Sequence, residues 1–124
     1  MSIATTICCL LLLALFPNVL GGKDCYSASG RLTCAEDPSL ATNVNVQMWD
    51  KDWGLKGSDD FMGGTVSDER GHFDFSGCED DGWGEPEPYL WIVHRCGVPP
   101  GAESATQRLD FSMDSHGLNI ALTV

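Results

Sequence analysis

Residues 43–49 read NVNVQMW, and this short stretch decides the fold class. Val44, Val46 and Met48 fall on one side of an extended chain, with Asn43, Asn45 and Gln47 on the other. That period of two is what a half-buried strand requires. The same period recurs outward in both directions. In YSASGRLTC (26–34) Tyr26, Ala28, Gly30 and Leu32 alternate with Ser27, Ser29, Arg31 and Thr33. In GHFDFSG (71–77) Phe73 and Phe75 alternate with His72 and Asp74. QRLDFSM (107–113) places Leu109, Phe111 and Met113 on one face, and LNIALTV (118–124) does the same with Leu118, Ile120, Leu122 and Val124. YLWIVHRC (89–96) is apolar on both faces through Val93, which predicts a central strand with Trp91 in the core. With MGGTV (62–66), seven short runs fall within about 100 residues and no helical period intervenes, so the expectation is an all-β, seven-stranded antiparallel β-sandwich. SDERG (67–71) predicts a tight turn, while GCEDDGWGEPEP (77–88) and GVPPGAES (97–104) read as longer loops.

The remainder of the 124 residues bears on where the chain works. ICCLLLLALFPNVL (7–20) is almost wholly apolar, and the first charged side chain is Lys23. Its apolar core is shorter than the roughly 20 residues that span a bilayer. It reads as the h-region of a secretory signal over residues 1–22, followed by one domain over 23–124. Cys8 and Cys9 would leave with the signal. Cys25, Cys34, Cys78 and Cys96 would remain, an even number in a small exported chain, which predicts two disulfides. The net charge of −11 repels phosphate backbones, so nucleic-acid binding is disfavoured. Direct membrane insertion is not expected either.

Strand geometry restricts the pairing. An extended run from Cys25 to Cys34 would hold its ends about 30 Å apart at ~3.3 Å per residue, whereas a disulfide needs Cα atoms within about 7 Å. The strand at 89–95 separates Cys78 from Cys96 in the same way. Two pairings survive: 34–96 with 25–78, or 34–78 with 25–96.

SASGRLTC, NVNVQMWDKD, SDDFMGGTVSDERGHFDFSG and EPYLWIVHRC, in that order, resemble the nematode transthyretin-like family over about two-thirds of the mature chain. The resemblance implies a secreted protein with a prealbumin-like β-sandwich and an extracellular role. It brings no catalytic residue set with it. The family's recurrent cysteines fall at Cys34 and Cys96, which favours 34–96 together with 25–78. Past Cys96, where family members often carry a further cysteine, GVPPGAESATQRLDFSMD has none.

Enzymatic chemistry finds little in the residues. Hydroxyisourate hydrolase shares the transthyretin fold and ends in a YRGS tetrapeptide, whereas this chain ends ALTV. His94 and Arg95 sit beside a cysteine at a strand end, where a packed or hydrogen-bonded histidine is the commoner outcome. His72, His94 and His116 lack metal-ligand spacing. No catalytic residue and no resident cofactor are expected. Two features remain. Asp50, Asp52, Asp59 and Asp60, with Glu79, Asp80 and Asp81 in a second acidic run, read as solvated loops, with a calcium site as the alternative. Trp53 and Trp83 lie in loops beside acidic residues and predict a contact surface. The sequence therefore predicts a secreted, non-enzymatic binding protein. Its partner would be an extracellular protein or receptor, or a small hydrophobic ligand. A calcium-dependent binder of a polar or anionic lipid or cell-surface target is the alternative, and a hydrolase is the least supported. No interface residues fix an oligomeric state.

Overall fold

The computed structural model describes residues 23–51, 59–80, 86–112 and 114–124, so the expected signal segment lies outside it. Alternation becomes burial along β2 (Asn45–Asp50): Val46 and Met48 are fully buried while Asn45 is exposed. The other strands are β1 (Lys23–Thr33), β3 (Asp60–Val66), β4 (His72–Asp80), β5 (Pro88–His94), β6 (Ala105–Asp110) and β7 (Ser115–Ala121), with one 3-10 turn at Pro38–Ala41. They form two sheets, ordered β4-β1-β7 and β3-β2-β5-β6. The expected seven-stranded sandwich is present, and β5 lies between β2 and β6 as its double-sided apolar run foretells. Four of the five ladders are antiparallel, whereas β1 and β7 pair parallel with a register shift between Ala28 and Gly30. Alternation reports which face a residue takes and is blind to strand direction.

Inward side chains from both sheets build one core: Ala28, Leu32, Val46, Met48, Met62, Phe73, Leu90, Ile92, Ile120 and Leu122. A Cβ on Gly77 would stand 2.6 Å from the Met48 sulfur and 3.0 Å from Met62 Cβ, so the sheets close here only over glycine. The turn between β3 and β4 is fixed by Asp68, whose Oδ1 accepts from the amides of Arg70 and His72 at 2.8 and 2.9 Å. Gly71 follows with φ 81°, in the left-handed region open to glycine. Beneath the turn, the buried Ser67 hydroxyl donates to the Ala41 carbonyl at 2.5 Å and accepts from the Val44 amide at 2.9 Å.

Both disulfides link β1 or its end to the rest of the fold. Cys25–Cys78 joins directly opposed residues of β1 and β4, with Cα atoms 4.1 Å apart. Cys34–Cys96 is buried and joins the end of β1 to the chain just past β5, with Cα atoms 5.7 Å apart. Of the two pairings that strand geometry left open, this is the one the family resemblance favoured.

Three expectations need correction. β4 continues through Gly77, Cys78 and Glu79 to Asp80, where the composition suggested a loop, because Lys23, Asp24 and Cys25 extend β1 to pair with it. Trp91 is only half-buried and faces outward, since the inward phase of β5 belongs to Leu90, Ile92 and His94. Val124 lies beyond the end of β7 and is 81% exposed, off the apolar face that Ile120 and Leu122 share.

Candidate functional site

Asp50 ends β2 and Asp60 begins β3, and the antiparallel register sets them directly opposite each other. Glu79 approaches from β4 of the other sheet. One carboxylate oxygen from each residue lies within 4.8 Å of the other two. Like charges that close cannot all ionise cheaply. Hydrogen bonding to Asp50 is the largest cause, followed by burial and hydrogen bonding to Asp60. Together they push the Glu79 carboxyl up to about 8. Near neutral pH Glu79 therefore keeps a proton that holds the trio together. Asp50 is anchored further, its Oδ1 accepting from the Glu87 amide at 2.7 Å, next to a backbone bond from the Lys51 amide to the Glu87 carbonyl at 3.1 Å.

Asp59 takes a different role from Asp60. Its Oδ2 accepts from the Tyr89 hydroxyl at 2.5 Å on the outer face of the four-stranded sheet. There Gln47, Trp49, Asp59, Tyr89 and Trp91 line an open pocket of about 280 Å³. Trp49 meets Phe61 edge-on, with centroids 5.3 Å apart, and its indole N–H donates to Gln47 Oε1 at 2.9 Å. The Arg108 guanidinium lies 3.9 Å over the Tyr89 ring and binds Asp110 at 2.7 Å. Burial and the Asp59 carboxylate hold the Tyr89 hydroxyl up at about 12.

The structure thus brings Asp50 and Asp60 together, adds Glu79, and sends Asp59 to another face. Asp52, Trp53, Asp81 and Trp83 lie outside the described residues. Sequence reasoning missed Trp49, Tyr89 and Trp91 as wall residues. The signal was available in their phase: Trp49 continues the outward series Asn45 and Gln47, and Tyr89 and Trp91 flank the inward Leu90.

The histidines are dispersed. His94 is 2% exposed and both ring nitrogens are engaged, Nδ1 accepting from the Cys96 amide at 3.0 Å and Nε2 donating to the Thr123 carbonyl at 3.0 Å. It serves the packing around the Cys34–Cys96 bridge. His116 bridges the Ser27 and Ser29 hydroxyls at 3.0 and 2.8 Å on exposed surface, beside the β1–β7 register shift. Among the described residues no group of three candidate metal ligands includes a histidine. Cys34 and Cys96 lie beside Glu36, but they are bonded to each other and supply no thiolate.

These features define a small all-β sandwich, stapled by two disulfides, with carboxylates gathered at one end. The chain belongs to the transthyretin-like family: a family model described as "TTR-52: Transthyretin-like family" matches residues 29–112. It is similar to Transthyretin-like protein 1 of Caenorhabditis elegans, 33% identical over 92 residues that cover 70% of this chain and 58% of that relative. The chain therefore spans little more than half that relative's length. Among solved structures, a 9R-lipoxygenase from Cyanothece aligns with a TM-score of 0.47 and 19% identity, over 81% of this chain and 16% of the lipoxygenase.

Proposed function

We propose that this chain is a non-enzymatic binding protein that works outside the cell and takes a cationic partner at the end of the sandwich where Asp50, Asp60 and Glu79 meet. The observation that carries the reading is the convergence of three carboxylates from two sheets within 4.8 Å, close enough that Glu79 holds its proton to about pH 8. A site in that state is relieved by positive charge, because a cation between the oxygens replaces the proton and removes the repulsion. The net charge of −11 steers cationic partners toward the molecule. Two disulfides suit an oxidising, extracellular setting. A non-enzymatic role fits His94, whose ring is buried with both nitrogens hydrogen-bonded inside the fold. The partner class is an extracellular protein or receptor presenting a basic surface. Titration with a lysine-rich peptide tests this: saturable binding that weakens steeply with salt and is lost in Asp50→Asn supports it, and salt-insensitive binding or none refutes it.

A second reading is favoured by the chemistry of the trio itself. Three carboxylates form the oxygen donor set of a hard cation, and calcium at this position would link the chain to a polar or anionic lipid or cell-surface target. Melting in millimolar calcium and in EDTA separates the two readings. A higher melting temperature in calcium, absent from Glu79→Gln, supports a calcium site. An unchanged temperature removes it and leaves the basic-surface reading standing.

A further inference from the structure

We propose that the outer face of the four-stranded sheet is the surface on which a second copy of this chain docks, in a weak, two-fold symmetric pair. The inference goes beyond the cation site: Asp50 and Asp60 take the inward phase of β2 and β3, whereas this face is built from the outward phase. The strand registers set that phase out in three rows running from β3 across β2 and β5 to β6. The first row is Val66, Asn45, Val93 and Thr106, and the second is Gly64, Gln47, Trp91 and Arg108. The third is Phe61, Trp49, Tyr89 and Asp110. An antiparallel sheet with one face in water ordinarily turns polar side chains outward. Here half of the outward positions carry valine, phenylalanine, tryptophan or tyrosine, and Phe61 and Val66 stand 55% and 59% exposed. The Phe61 ring reaches over Gly64, where an added Cβ would meet its Cζ at 3.6 Å. Contiguous exposed apolar surface of this kind marks an interaction site.

The charge pattern selects the occupant. The chain carries a net charge of −11, so two copies repel through most of the surfaces they can present to each other. On this face the charged positions are Arg108 and Asp110, both on β6 and bound to each other at 2.7 Å. Asp59, which precedes β3 and accepts from the Tyr89 hydroxyl, stands at the rim beyond the third row. From β3 through β5 the first two rows are neutral. Two copies apposed there bring apolar area together without setting carboxylate against carboxylate. The polar groups suit self-pairing as well. Asn45, Gln47 and Thr106 each hold both a donor and an acceptor, so each can pair with the same groups on a second copy, as an isologous interface requires. The Trp91 indole N–H finds its acceptor in an amide oxygen of that copy. Four strands about 4.8 Å apart and three outward positions about 6.8 Å apart give a footprint of roughly 20 by 20 Å. Two such faces bury about 800 Å², below the ~1,200–2,000 Å² of stable interfaces, so the pair is weak, with a Kd on the order of 100 μM.

Sedimentation velocity tests this on the chain as its expressing cells process it, at concentrations from about tenfold below to about tenfold above that Kd. The expected result is a monomer–dimer equilibrium that tightens severalfold as salt rises, because screening relieves the repulsion between two acidic copies. That sign is opposite to the salt dependence of a basic peptide bound at the carboxylate trio. Asn45→Asp, isosteric at an exposed position, and Val66→Glu each put like charges face to face in the first row. Each should weaken the pair about tenfold or more at an unchanged melting temperature of the monomer. If Val66→Glu fails to fold, Asn45→Asp carries the test. Ser76→Glu adds the same charge at an exposed position of β4, in the other sheet, and should leave pairing nearly unchanged. Glu79→Gln should leave it unchanged too, which keeps the failure of this proposal distinct from the failure of the cation site. Amide NMR shifts that move on dilution should cluster in the first two rows. A chain that stays monomeric at every concentration overturns the proposal and leaves the face to a foreign partner. A dimer that both Asn45→Asp and Val66→Glu leave intact overturns it as well, by placing the contact elsewhere.

Discussion

Glu79 shares its end of the sandwich with two carboxylates, Asp50 and Asp60, and its own carboxyl is pushed up to about 8. A carboxyl whose folded pKa stands above its unfolded value binds its proton more tightly in the folded state. Its contribution to stability is complete below about pH 4.5 and is lost as the pH rises to about 8. Wild type should therefore lose stability across that window relative to Glu79→Gln, whose neutral amide keeps the hydrogen bond without the titration. Chemical denaturation at several pH values checks this. Asp68 acts in the opposite sense. The His72 and Arg70 amides hold its carboxyl below the ordinary 3.8, so its contribution is present above that pH and is lost as the pH falls further. Ser67 gives a pH-independent test. Its hydroxyl satisfies two buried backbone groups, and Ser67→Ala should cost about 1–3 kcal/mol by leaving the Ala41 carbonyl and the Val44 amide unpaired. At this scale the sequence was legible only in part. The aspartates of residues 50–60 are conspicuous in the sequence, but which of them converge depends on a register that alternation does not encode. Asp59 and Asp60 are neighbours in sequence, and the pleat sends them to different faces.

Among the strands, alternating runs located five of the seven, because each buries one face against the other sheet and writes that asymmetry into its residues, while β5 showed as a doubly apolar run and β3 as a short run before the tight turn. Two features escaped this reading. The extension of β4 through Cys78 and Glu79 was hidden by acidic, glycine-rich composition, and only its pairing with Asp24 and Cys25 of β1 makes it a strand. The outward phase of Trp91 was hidden because a strand apolar on both faces does not announce which face is the core. Gly77 packs directly beneath Met48 and Met62 of the facing sheet, and Gly77→Ala should destabilise by roughly 1–3 kcal/mol through overpacking against them, read by equilibrium unfolding. The two disulfides differ in access. Cys25 and Cys78 are exposed, whereas Cys34 and Cys96 are 3% and 0% exposed. Mild reductant should open Cys25–Cys78 first, leaving Cys34–Cys96 intact until the fold is loosened, a sequence that alkylation and mass spectrometry would follow.

Considered whole, the molecule places an unbalanced negative charge on a covalently stapled sandwich, and carboxylates converge where β2 and β4 end and β3 begins. Length, cysteine count and strand spacing made the class of fold legible. The gathering of Asp50, Asp60 and Glu79 depends on contacts between sheets that are remote in sequence. Thermal melting of wild type and Glu79→Gln, at about pH 8 with and without a cationic ligand, tests that convergence most directly. The ligands are millimolar calcium in one series and a lysine-rich peptide in another. At about a hundredfold excess over the dissociation constant, binding should stabilise wild type by roughly 2.7 kcal/mol, a rise of several degrees for a domain of this size. The expected result is that rise with one of the two cations in wild type and its absence in Glu79→Gln. Identical curves for both proteins, unmoved by either cation, would contradict a cation-binding role for the carboxylate trio.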